Sequence, residues 1–163
     1  MTTENTKTIM KDWRRRILLS LWITYAAFYL TRVNLSVAIP GIIAEFGFTK
    51  TQMGLVLTAL FATYAIGQFV HGQLGDKFGS RLWVSIGLIG SAFVSIAFGF
   101  SNIFVAMILL WALNGLLQSM GWAPTVKTLA NWFPRKSRGK AAGFLGTSYQ
   151  LGNAASWALA GFV

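Results

Sequence analysis

Residues 55–94 read LVLTALFATYAIGQFVHGQLGDKFGSRLWVSIGLIGSAFV. Two long apolar runs flank a short break, GDKFGSR, which carries Asp76, Lys77 and Arg81. A helix needs about 20 mostly apolar residues to cross the hydrocarbon core of a bilayer. Both runs meet that length or nearly so. The stretch is expected to form two membrane-crossing helices joined by a tight turn.

The rest of the chain repeats this pattern. Of 163 residues, 55% are hydrophobic and 11% are charged, against about 25% charged in an average soluble domain. Five apolar segments stand out: 17–40, 52–74, 82–100, 102–124 and 140–163. Five such runs exceed what the core of a soluble protein would bury. The fold class expected is an all-α polytopic membrane protein. Residues 1–16 form a basic N-terminal segment, and residues 17–163 form a transmembrane bundle. The fifth segment is still running at Val163, with no charge or turn after it. The chain is therefore expected to be the front part of a longer protein, cut within its fifth span. The charges before residue 17 resemble a signal-peptide n-region, but the run after them is too long and lacks a small-residue cleavage site.

Charge sets the expected orientation. The formal net charge is +10. Lys7, Lys11 and Arg14 to Arg16 precede the first span. Lys77 and Arg81 follow the second. Lys127, Arg135, Lys136, Arg138 and Lys140 surround the junction of the fourth and fifth, and the opposite loops hold only Lys50. The positive-inside rule then puts the N-terminus in the cytoplasm. The basic surplus is read as a topology signal and a contact for the lipid bilayer, not as a nucleic-acid footprint. Trp13, Trp83, Trp132 and Phe133 fall near the expected interfaces. Gly87, Gly90, Gly139, Gly143 and Gly146 are candidates for close helix contact. With no cysteine and one histidine, no disulfide, thiolate metal site or other metal cluster is expected, and no cofactor motif is present. His71 is read as a packing residue.

Arg32 lies within the first span, about eight residues from its expected end. An arginine inside a span costs at least about 2.5–3.5 kcal/mol on insertion scales and usually faces the bundle interior or an aqueous pathway. Snorkelling to the headgroups is the plainer alternative. Tyr25, Tyr29, Arg32 and Ser36 step by four, three and four, so they share one helix face. The acids are Glu4, Asp12, Glu45 and Asp76, all outside the spans or at their ends. An unpaired guanidinium offers a planar fork of donors suited to phosphate or carboxylate. Tyr64 and Gln68 on the second span join it as candidate substrate contacts, as do Gln118 on the fourth and Tyr149 on the fifth. Interhelical hydrogen bonding is the alternative role for each.

GQLGDKFGSR, residues 72–81, resembles the signature that the major facilitator superfamily carries between its second and third helices. Gly72, Leu74, Gly75, Asp76, Lys77, Gly79 and Arg81 match it, and Ser80 stands where a basic residue is usual. The resemblance implies a gating role for Gly72, Asp76, Lys77, Gly79 and Arg81. Gly72 would allow close packing and Gly79 a tight turn. Asp76 would hold a helix N-terminus in the other half of the transporter.

Within that superfamily the chain is most similar to the organophosphate:phosphate antiporters. YLTRVNLSVAIP (29–40), FGFTKTQMGLVLTALFATYAIGQF (46–69), LLQSMGWAPTVKTLANWFPRKSRGKAAG (116–143) and SYQLG (148–152) carry the resemblance. It implies a secondary transporter, not an enzyme, in the plasma (inner) membrane. Arg32 would grip the phosphate of a small anionic substrate, and a C-terminal half would supply a second cation. Gln68 replaces a lysine of the glycerol-phosphate and hexose-phosphate exchangers, and Tyr149 replaces a histidine. RVNLSVAIP and WFPRKSRG also resemble the anion:cation symporters, which move sugar acids with protons or sodium. Those proteins carry an aspartate and a glutamate where this chain has Thr31 and Gln118–Ser119. A membrane sensor of sugar phosphate and a half-size protein that dimerises are further alternatives.

Overall fold

The computed structural model describes residues 3–161 and consists there of six helices: α1 Thr3–Phe46, α2 Lys50–Phe78, α3 Ser80–Gly99, α4 Phe104–Ser119, α5 Trp122–Trp132 and α6 Arg135–Gly161. The expected end of the fifth span at Val163 lies outside the described residues.

Local chemistry sets the helix ends, and several differ from the expected ones. α1 does not stop at Pro40; it continues for six residues, with Pro40 inside the helix. Pro40 is exposed, and beyond it Ile42 and Ile43 pack against a buried apolar cluster. That packing holds the last turns together despite the missing N–H. Gly47 ends α1 at φ 70°, and its N–H donates to the Ile43 carbonyl, a left-handed cap that glycine adopts at low cost. α2 then starts at Lys50. Thr49 accepts from the Gln52 N–H, and the Gln52 side chain accepts from the Thr49 N–H at 2.8 Å, a capping box. At its far end α2 runs through Asp76 and Lys77 to Phe78, so most of the expected break is helical. The whole turn into α3 is Gly79, at φ 88°.

The fourth span is divided. α4 ends at Ser119, and α5 begins at Trp122. Pro124 cannot donate to the Met120 carbonyl, and its ring crowds that position. Met120 and Gly121 instead close tighter bonds to Leu117 and Gln118. α6 begins at Arg135, five residues before the expected Lys140, because the Pro134 carbonyl accepts from the N–H groups of Ser137 and Arg138. Four stretches are long and apolar enough to cross a membrane: Thr8–Phe46, α2, α3 and Phe104–Trp132. α6 has the length, at 27 residues. Its Gly, Ser, Asn and Gln content leaves it out of that group among the described residues, so four spans rather than five qualify.

α2 lies mainly along α4, and α1 along α6, with α3 against α4. Two apolar clusters fill the bundle. One holds Leu35, Met53, Val56, Leu60, Phe98, Met107 and Trp111. The other holds Tyr25, Phe28, Val84, Leu129, Ala141 and Leu145. Close approach is made at Gly87, where a Cβ would lie 2.6 Å from the Leu117 carbonyl oxygen, and at Gly152, where it would lie 2.6 Å from that of Ala26. Gly90 packs on Leu117, as expected. Gly139 and Gly143 face open space, and Gly146 meets only Tyr149 of its own helix. Within the motif the tight contact is at Gly75, whose added Cβ would meet Pro124 at 2.7 Å, rather than at Gly72, where Ala123 leaves an ordinary 3.7 Å.

Candidate functional site

Between the two apolar clusters lies a polar layer, and Arg32 stands at its edge. With α1 running to Phe46, fourteen residues separate Arg32 from that end, about 21 Å of helix. Arg32 is half-buried. Its guanidinium carbon lies 5.0 Å from the Tyr29 ring centroid and 4.6 Å from that of Tyr64, within the range of cation–π attraction. Its Nε donates to Gln118 Oε1 at 3.1 Å. Among the described residues no carboxylate pairs with it; the ion pair found there joins Asp76 to Lys127.

A cleft of about 210 Å³ opens beside these rings, lined by Tyr25, Tyr29, Tyr64, Trp122 and Tyr149. The tyrosine spacing on α1 accounts for two of its walls. Tyr25 sits 5.8 Å from Tyr29 and 5.1 Å from Trp122, and Tyr29 sits 5.8 Å from Tyr149. Four helices thus bring five aromatic rings and one cation together. The rings offer apolar faces with phenol hydroxyls at their edges, and the cation can hold an anionic group.

Of the residues expected to contact substrate, Tyr25, Tyr29, Tyr64 and Tyr149 line the cleft, and Arg32 packs against the Tyr29 and Tyr64 rings without being part of the lining. Gln118 lies behind the cleft, 1% exposed. Gln68 is not part of the cleft lining, and its buried Nε2 has no hydrogen-bond partner. Ser36 is exposed on the same helix face. Trp122 lines the cleft without having been among the expected contacts. Its four-residue step from Gln118 on one helix was a usable signal, although the helix breaks between the two.

The polar layer joins Thr31 and Asn114 to Ser91 of α3, which the sequence did not single out. Ser91 Oγ lies 3.0 Å from Thr31 Oγ1, and it also donates to Asn114 Oδ1. Asn114 Nδ2 donates to the Thr31 carbonyl at 3.1 Å. Ser91 and Ser95, one turn apart in the mostly apolar second half of α3, were the available signal for this face.

The motif residues occupy the basic end of the bundle. Asp76 pairs with Lys127 of α5, each side chain about half exposed. Asp76 does not cap α3, whose first turn has no side-chain cap. Arg14 Nε donates to the Trp132 carbonyl at 2.8 Å, and Arg138 Nε to the Phe133 carbonyl at 2.9 Å. Lys77 and Arg81 are exposed. The basic N-terminal segment, the α2–α3 turn and the α5–α6 turn therefore meet at one end. His71 is turned toward α4: its Nδ1 is 2.7 Å from Ser119 Oγ, which donates to the Leu116 carbonyl. Its ring meets the Trp83 edge at 5.7 Å.

Fold and site together define a polytopic helical membrane protein with an aromatic-lined cleft between its helices and a half-buried arginine against two of the lining rings. The Major Facilitator Superfamily pattern matches residues 21–163, and the chain belongs to that family, one of transporters rather than enzymes. It is 37% identical over 144 residues to the probable hexose phosphate transport protein of Chlamydia trachomatis, covering 88% of this chain and 32% of that protein. It is 38% identical over 142 residues to the membrane sensor protein UhpC of Salmonella typhimurium, covering 87% and 32%. It is 34% identical over 146 residues to the glycerol-3-phosphate transporter of Bacillus subtilis, covering 87% and 33%. The chain spans about a third of the length of these curated relatives.

Proposed function

We propose that this chain forms the N-terminal part of an alternating-access exchanger that carries a small organic anion, a phosphate ester, against inorganic phosphate. The supporting observation is Arg32: a permanent cation within a helix long and apolar enough to cross a membrane, set over two tyrosine rings and facing no carboxylate among the described residues. Such a group favours an anion, and the guanidinium fork matches phosphate. In this reading a second half supplies a second cation, and the site lies between the halves near the midplane. Phosphate neutralises both cations and lets the loaded halves rock. The basic end faces the cytoplasm, in the inner membrane of a bacterium such as those that hold the relatives. The motif residues Gly72, Asp76, Lys77, Gly79 and Arg81 act in gating at that end.

Proton- or sodium-coupled symport of a sugar acid is less well supported, because among the described residues no carboxylate stands beside Arg32 to bind the coupling ion. A sensor of sugar phosphate has a specific observation in its favour: the sensor relative is as similar to this chain as the transporters are. Net flux separates the readings. An exchanger moves labelled phosphate across the bilayer and loses that movement on Arg32→Ala, with the amount of inserted protein unchanged. A sensor binds the ester without flux. Normal exchange by Arg32→Ala would refute the assignment of Arg32.

A further inference from the structure

We infer that Gln118 is a positioning residue: a buried amide that fixes the Arg32 guanidinium and reserves its two terminal nitrogens for the anion. The inference rests on the exchanger reading for what the fork holds, but not for how the fork is held.

The hydrogen-bond chemistry leaves one orientation for the amide. Arg32 Nε can only donate, and the Phe28 carbonyl can only accept. Gln118 lies between them, with Oε1 3.1 Å from Arg32 Nε and Nε2 3.0 Å from the Phe28 oxygen. Reversing the amide would oppose donor to donor and acceptor to acceptor. Thr31 Oγ1 and Ser91 Oγ each lie 2.8 Å from the amide nitrogen, so three acceptors, these two and the Phe28 carbonyl, share its two hydrogens. Ser91 is itself tied to Asn114, and Asn114 to Thr31. Gln118, Ser91 and Asn114 are all 1% exposed or less. The three come from α3 and α4, so two neighbouring helices brace one side chain of α1.

The consequence falls on the guanidinium. With Nε engaged and the ring faces of Tyr29 and Tyr64 close by, two sides of the group are occupied. Among the described residues neither terminal nitrogen has a hydrogen-bond partner. Their outer edge is what remains for an anion, and it offers two parallel donors. A fork already fixed loses less side-chain entropy when the anion binds. Leucine at 118 would fill the space and hold nothing. Glutamate would keep an oxygen toward Arg32. Once ionised, it would also cancel the guanidinium charge and point its second oxygen at the Phe28 carbonyl. The ionisable groups around this point are Tyr25 and Tyr29 of α1, Tyr64 of α2 and Tyr149 of α6, besides Arg32 itself.

Two readouts on the complete transporter in lipid nanodiscs and proteoliposomes test this. In the first, arginine is labelled with nitrogen-15 and the Arg32 Nε–H signal is identified by its loss in Arg32→Lys. The wild type should show slow hydrogen exchange at that site. Gln118→Leu should lose the protection, and Gln118→Glu should keep it. In the second, inorganic phosphate self-exchange is measured. Gln118→Leu should raise KM about tenfold or more, the loss expected for a hydrogen bond to a charged group, with maximal turnover much less affected. Gln118→Glu should exchange progressively less than wild type, compared at each pH, as the pH is raised. A wild-type Nε–H that exchanges as fast as in Gln118→Leu would overturn the inference, as would an unchanged KM in Gln118→Leu. If the wild type exchanges no phosphate yet shows the protected Nε–H, the positioning role stands and the exchanger reading falls.

Discussion

Arg32 is the residue on which the functional account turns, because a cation within a membrane-crossing helix costs free energy unless its surroundings compensate. Two ring faces and a buried amide do so here without neutralising it. The sequence made the cation and its tyrosine stripe legible, since helical spacing alone sets Tyr25, Tyr29 and Arg32 on one face. It did not reveal Gln118 as a brace. Spacing places a residue on a face but does not say whether a neighbouring helix covers it. The same limit applied to glycines. Gly139 and Gly143 fit a small-residue stripe yet meet nothing, whereas Gly115 was not singled out. An added Cβ there would collide with the Leu60 carbonyl and Thr63 Oγ1. Thr63 Oγ1 also donates to the Ala112 carbonyl at 2.7 Å, so the two helices have no room to part. Gly115→Ala should therefore destabilise the protein by about 1–3 kcal/mol, and Gly143→Ala should change it by less than about 0.5 kcal/mol. Thermal unfolding of the two variants in one detergent checks this, and equal melting temperatures would contradict the packing described.

Among the elements, the division of the fourth span does most to shape the site. Pro124 forces the break, Trp122 follows it into the cleft, and Gly121 lies under Phe28. Pro124 was visible in the sequence as a helix boundary, but a proline near a helix start and one within a helix read alike until packing decides. Pro40 went the other way for that reason. The Thr49–Gln52 capping box and Gly47 had local signatures and could have fixed the α1–α2 junction. The α5 C-terminus shows a long-range device instead. Arg14, 118 positions earlier, donates to the Trp132 carbonyl, where a cation also suits the helix dipole. Arg14→Ala should cost about 0.5–1.5 kcal/mol of stability, and Arg15→Ala, at an exposed neighbour, should cost almost none. Limited proteolysis at the α5–α6 turn should accelerate in the first variant alone; equal rates would exclude the cap.

For the whole molecule, composition was enough to define a helical membrane protein, and the motif between α2 and α3 was enough to suggest its family. The positions of charge predicted one basic end, and the contacts of Arg14 with Trp132 and Asp76 with Lys127 bring those segments together. Which side of the membrane that end faces can be read directly, because this chain has no cysteine of its own. In a complete transporter cleared of other cysteines, Thr49→Cys in intact cells should react with an impermeant maleimide. Lys136→Cys should react only after the membrane is opened. The reverse pattern would invert the topology. The central claim concerns flux. Proteoliposomes bearing the complete transporter and loaded with labelled inorganic phosphate should release it when a phosphate ester is added outside, and Arg32→Lys should abolish the release. Retention of the label by the wild type, with uptake of a sugar acid driven by a proton or sodium gradient, would contradict the account and make the protein a symporter.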